Sequence, residues 1–102
     1  MRNQIRVLVV DDSAFMRKLI SDMLNQAPQI RVVGTARNGV EALKKQQLLN
    51  PDVMTLDVEM PVLDGLETLK KIMTDNPCPV IMLSSTTTEG AIIPFVQWSM
   101  ER

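Results

Sequence analysis

Four apolar runs that do not alternate in polarity, separated by stretches with helical spacing, constrain this chain more than any other feature. IRVLVV (5–10), IRVVGTA (30–36), DVMTLD (52–57) and PVIMLS (79–84) read as strands. A strand with apolar neighbours in succession is buried on both faces, so layers must cover the sheet on each side. AFMRKLISDMLNQ (14–26) and the segments from about Gly39 to Leu49 and from about Gly65 to Asp75 read as helices. In the first helix, Phe15, Leu19 and Met23 form one stripe, with Met16, Ile20 and Leu24 beside it. Arg17, Lys18, Ser21 and Asp22 fall outside that face. Strand and helix in strict alternation give a parallel sheet with right-handed crossovers, a doubly wound α/β fold. The 102 residues suffice for one such domain and are about half of what a barrel needs.

The starts of the helices support this division. NGVE (38–41), DGLE (64–67) and TTTE (86–89) each place an oxygen-bearing N-cap three residues before a glutamate. The third predicts that another helix begins near residue 87. In VEMPVLDGLE, Pro61 fits a fixed-φ turn, Asp64 an N-cap, and Gly65 a position needing positive φ.

Composition removes several function classes. Net charge is −1 from 11 basic and 12 acidic residues without long runs, so no nucleic-acid face is expected. The apolar stretches are too short for a membrane helix, and the N-terminus meets two acids too early for a signal peptide. A chain without histidine cannot supply a Ser-His-Asp or Cys-His pair or a histidine zinc site. The one cysteine, Cys78, excludes an internal disulfide and suits a reducing cytoplasm. Between two prolines and with no basic partner, it reads as structural rather than reactive. Most of the eight methionines sit on core stripes, where they fill gaps.

Chemistry concentrates at strand ends. The first strand runs into Asp11 and Asp12, and the third ends at Asp57. Ligands of open parallel sheets sit outside the carboxyl ends of strands where strand order reverses. In the order 2-1-3-4-5 the first and third strands flank that point, so three carboxylates meet. Either one acid keeps its proton or a divalent cation neutralises them. Mg²⁺ suits such a set, with Asp12 and Asp57 as direct ligands, Asp11 acting through water or from behind the direct ligands, and the Glu59 carbonyl as a backbone ligand. An aspartate beside that ion can attack phosphorus. The plainer alternative is that Asp11 and Asp12 cap the first helix. The fourth strand ends in LSSTTTE, where Ser84 is the hydroxyl best placed to meet phosphoryl oxygens.

VLVVDDS, the strand-terminal Asp57 followed by VEMPVLDG, and VIMLSS together resemble the receiver domain of two-component response regulators. VDDSAFMRKLISDML, DVEMPVLDGLETLKKIM and PVIMLSSTTTEGA are most similar to the receiver half of chemotaxis protein-glutamate methylesterases. The resemblance covers about residues 4 to 91 and implies a flavodoxin-like receiver fold. It implies Asp57 as phospho-acceptor, Asp11 and Asp12 holding Mg²⁺ with it, Ser84 as switch hydroxyl, and a histidine kinase as phosphodonor. Residues 1–91 are then a receiver domain and 92–102 an atypical tail. The family's methylesterase domain, with its Ser, His and Asp, is not among these residues, so a downstream effector is expected outside them. The family's fifth strand ends in lysine before proline, whereas Gln97 and Trp98 stand at that point here.

The expected sheet therefore has the order 2-1-3-4, with the fifth strand missing or atypical. That leaves PVIML at an edge, which predicts either self-association through it or a cover from residues 91–102. Three functions compete: a phospho-accepting signalling module, a truncated or degenerate receiver that binds partners without switching, and an aspartate-nucleophile phosphatase. The phosphatase would place a second acid two residues after the first, and Asp11-Asp12-Ser13 does not.

Overall fold

A computed structural model describes residues 4–60, 62–84 and 93–94, with backbone only at Ser84, Ile93 and Pro94. The order of elements is β1 (Ile5–Val10), α1 (Ala14–Asn25), β2 (Ile30–Ala36), α2 (Gly39–Leu49), β3 (Val53–Asp57), α3 (Gly65–Asp75), β4 (Val80–Ser84) and β5 (Ile93–Pro94). Strands lie side by side as β2-β1-β3-β4-β5. The first four are parallel in the expected order. β5 is atypical: two residues long and antiparallel, it pairs Ile93 with Ser84 and Pro94 with Leu83. It covers the carboxyl end of the β4 edge. Pro61 and the helix start expected at TTTE (86–89) lie outside the described residues.

Caps start the helices as the spacing predicts. The Asn38 side chain accepts from the Glu41 amide at 2.8 Å, and Asp64 from the Glu67 amide at 2.9 Å. Glu41 reaches back one residue further than a capping box requires, its Oε1 accepting from the Arg37 amide. At the opposite end of the sheet Arg6 and Asp52 tie β1 to β3. The Arg6 amide donates to Asp52 Oδ2, the Asp52 amide donates to the Arg6 carbonyl, and Arg6 Nη1 donates to the Asn50 carbonyl.

The two faces of the sheet are unequal. Leu8 and Val10 of β1, Met54 and Leu56 of β3, and Val80 and Met82 of β4 all point to one side. There they pack with Ala42 of α2, Leu69 and Ile72 of α3, and Met60 and Cys78 from the loops. Leu8, Met54, Leu56, Ile72, Val80 and Met82 are fully buried, which makes this layer the main source of stability. Among the described helices, α1 is the one on the other face, lying over β1 and β2.

That asymmetry corrects the reading of α1. The apolar residues of this helix do not form one buried face. Met16, Ile20 and Leu24 are half-buried, whereas Phe15 is 73% and Met23 58% exposed, with Leu19 at 36%. A lone helix with no described neighbour beside it buries only the line that touches the sheet. Leu56→Ala should therefore cost about 2–5 kcal/mol through its cavity, and Phe15→Ala should change stability by no more than about 0.5 kcal/mol. Chemical denaturation of the two variants checks this contrast, and comparable losses would contradict it.

Candidate functional site

β1 and β3 are adjacent and parallel, with Val10 opposite Leu56, so the residues that follow them leave the sheet side by side. Carboxylate oxygens of Asp11, Asp12 and Asp57 come within 4.8 Å of one another. Asp11 and Asp57 are buried, 4% and 5% exposed, while Asp12 reaches solvent. Burial pushes the Asp57 carboxyl up to about 7, and the neighbouring Asp11 charge adds to the shift. Burial also raises Asp11, opposed by the Ser13 amide, which donates to its Oδ1 at 2.9 Å. The crowding inferred from sequence is thus real, and burial together with it favours the protonated form of Asp57.

Neither aspartate caps α1. Ser13 does, its Oγ accepting from the Met16 amide at 3.2 Å. The capping residue and the acidic corner are joined, because the Ser13 amide is the donor that holds Asp11. Arg17, which the helical pattern placed outside the apolar stripe, is the cation at this corner. Its Nη1 donates to the Asp11 carbonyl at 2.9 Å, and its charge opposes the rise in the Asp11 carboxyl. Its partner is a main-chain oxygen, so no pattern of residue types in the sequence marks it.

After β3 the chain turns tightly. The Glu59 amide donates to Asp57 Oδ1 at 3.3 Å, and the Gly65 amide donates to the Val58 carbonyl at 2.9 Å. Gly65 is required for a reason the sequence did not show. A Cβ there would stand 2.3 Å from the Asp57 carbonyl oxygen and 2.7 Å from Val58 Cα. Positive φ falls instead on Val62, at 72°, a β-branched and 84% exposed residue for which that conformation costs roughly 1–2 kcal/mol. Asp64 and Gly65 thus serve the turn, and the turn fixes the backbone of Asp57.

β4 completes the corner. Asp57 pairs with Leu83, and the Val58 amide donates to the Leu83 carbonyl at 3.0 Å. Ser84 follows Leu83 at the same strand end as the acids, although its side chain is not among those described. Cys78 lies away from this corner, and burial pushes its thiol up to about 11, which keeps it protonated and unreactive. Buried acids with one exposed partner can hold a divalent cation and present a carboxylate to an electrophile.

Comparison with known proteins agrees with this fold. The sequence pattern of the response regulator receiver domain matches residues 7–102. A protein-glutamate methylesterase/protein-glutamine glutaminase of Halalkalibacterium halodurans is 67% identical over 91 residues, which span 89% of this chain and 26% of that protein. The chain thus spans about a quarter of the length of the curated relatives it matches. The crystal structure of the response regulator domain of Thermotoga maritima CheB superposes with a TM-score of 0.79 at 56% identity, covering 86% of this chain and 66% of that one. A CheX-CheY-BeF3-Mg+2 complex from Borrelia burgdorferi matches with a TM-score of 0.72 and 36% identity, over 83% of this chain and 65% of that one. No described helix is long and apolar enough to cross a membrane.

Two outcomes follow for the metal-free chain. Gly65→Ala should cost about 1–3 kcal/mol, because the added methyl meets backbone and not a movable side chain. The second concerns pH. An acid raised on folding binds its proton more tightly in the folded chain, so its contribution falls as pH climbs from 3.8 toward about 7 and is flat above. Asp57→Asn should remove that descent. Denaturation at a series of pH values checks it, and an unchanged profile in the variant would contradict burial as the cause.

Proposed function

The chain belongs to the response regulator receiver domain family, and from that premise we propose that it accepts a phosphoryl group on Asp57 in a Mg²⁺-dependent reaction, with a histidine kinase as donor. The convergence of Asp11, Asp12 and Asp57 carboxylates within 4.8 Å carries this reading. Asp11, Asp12, Asp57 and the Glu59 carbonyl would hold Mg²⁺, an oxygen-only set of the kind this hard cation takes. Bound there, the ion supplies charge stabilisation for the phosphoryl oxygens.

The residues of the chain divide the remaining work. A carboxylate oxygen of Asp57 forms the new O–P bond as the donor's P–N bond breaks, and the electron pair stays on the donor nitrogen. The chain has no histidine, so the nitrogen donor must be supplied from outside. The Glu59 amide, 3.3 Å from Asp57 Oδ1, orients the carboxylate. The Ser13 amide does the same for Asp11. Ser84, at the end of the adjacent strand, would bond the phosphoryl oxygens and carry the change to the loop that follows.

In this reading residues 1–91 form the receiver unit and 92–102 an atypical tail. The module regulates a chemotaxis effector in the cytoplasm, a reading that rests on its resemblance to the receiver half of methylesterases, the activity for which its relatives are named. A second reading is a receiver that binds partners without switching, and the two-residue antiparallel β5 favours it. Incubation with Mg²⁺ and an acyl phosphate should add the mass of one phosphoryl group, and Asp57→Asn should abolish the gain. No gain under those conditions would sink the first reading. Affinity for Mg²⁺ should rise with pH up to about 7 and then level, because the ion displaces the proton that burial retains on Asp57. Calorimetric titration across that range checks it.

A further inference from the structure

Among the described helices α1 has no neighbour on its face of the sheet. On the β3 and β4 side a groove of about 340 Å³ lies beside it, lined by Leu24 of α1 and by Ile81 of β4. On the outward side Phe15, Leu19 and Met23 recur at every fourth residue, 73%, 36% and 58% exposed. Positions four apart on a helix drift by only about 40°, so the three form one stripe that points away from the sheet. A continuous apolar line on the surface of a small domain marks a contact surface, unlike apolar residues exposed singly.

The flanks of the stripe differ. One carries Lys18 and Asp22, four residues apart, with Nζ 3.1 Å from Oδ2 and side chains 78% and 59% exposed. The other carries Met16 and Ile20, both half-buried.

We propose that α1 pairs with α1 of a second copy of this chain, antiparallel about a twofold axis. A second copy is the occupant that fits, because the stripe complements itself when reversed. Centred near Leu19, the reversal sets Phe15 of each chain against Met23 of the other, an aromatic ring against a thioether. Leu19 then meets its own counterpart. The axis keeps like flanks on one side, so Lys18 of each chain comes beside Asp22 of the other. A parallel pairing would turn the flanks over and lay this charged pair against Met16 and Ile20, so charge selects the antiparallel arrangement. A partner of uniform charge would gain at one member of the pair and lose at the other.

The stripe spans about two helical turns. The contact therefore falls among small transient interfaces, below about 1,200 Å² in total. The dimer is populated at high concentration, and in dilute solution Phe15 stays exposed, in keeping with its small effect on folding.

Sedimentation velocity at low ionic strength tests the pairing, from dilute solution up to about 1 mM. The sedimentation coefficient should rise from monomer toward dimer. Phe15→Asp should move the midpoint upward by about tenfold or more, as loss of a central apolar anchor does, with far-ultraviolet circular dichroism unchanged. Lys18→Asp makes the charged flank wholly acidic, and Asp22→Lys makes it wholly basic. Each alone should weaken pairing several-fold, and an equimolar mixture of the two should restore it. A chain that stays monomeric at the highest concentration overturns the proposal and leaves the stripe to a different protein. A dimer indifferent to these substitutions also overturns it, because association then uses another surface. So does a mixture of the two charge variants that pairs no better than either alone. Should Phe15→Asp lose its fold, the charge variants decide.

Discussion

Like charges held close together in a buried place impose the constraint on which this structure depends. Asp11 and Asp57 are almost fully enclosed, and the Asp11 charge raises the cost of ionising Asp57 while the Asp12 charge raises that of Asp11. A chain would not keep them so near without rigid support, and the support is visible. Two parallel strands deliver the acids, the Ser13 and Glu59 amides hold their oxygens, and the glycine turn at Gly65 lets the loop fold back against the Asp57 carbonyl. Arg17 brings a compensating charge to the Asp11 backbone. The corner is a place where the fold tolerates electrostatic cost so that a cation or a proton has something to relieve.

The deep layer beneath it explains how that cost is borne. Fully buried Leu8, Met54, Leu56, Ile72, Val80 and Met82 lie on the α2 and α3 side, directly under the strands that carry the acids. That packing fixes strand positions, and strand positions fix the acids. The face with α1 contributes less, and there the molecule has room for surface contacts that do not disturb the corner.

Much of this was legible in the residues. Apolar runs of six or seven residues marked the strands, and cap spacing at Asn38 and Asp64 marked the helix starts, because both signals are local. Strand-terminal acids pointed to the acidic corner once strand order was inferred. What escaped was three-dimensional. A stripe of Phe15, Leu19 and Met23 has core periodicity, but periodicity does not say whether a second layer is present to cover it. Gly65 looked like a residue for positive φ, whereas its need is proximity to the Asp57 backbone, and the unusual φ belongs to Val62. Arg17 was passed over because its partner is a main-chain oxygen six residues away, which no side-chain pattern encodes.

Neighbouring positions of one strand answer to different layers, and this shapes how the protein can change. Along β1, β3 and β4 every second residue belongs to the α2–α3 core, while the residue between faces α1 and the groove. Substitutions should therefore be tolerated in a two-residue rhythm. Exposed positions on the α1 side, such as Ile5, can drift to suit a new segment, linker or neighbouring domain, while buried Val7 and Val9 and the alternate positions keep the acids in place. A sheet built this way can change what it touches without rebuilding its acidic corner, because the two faces are carried by alternate residues of the same strands.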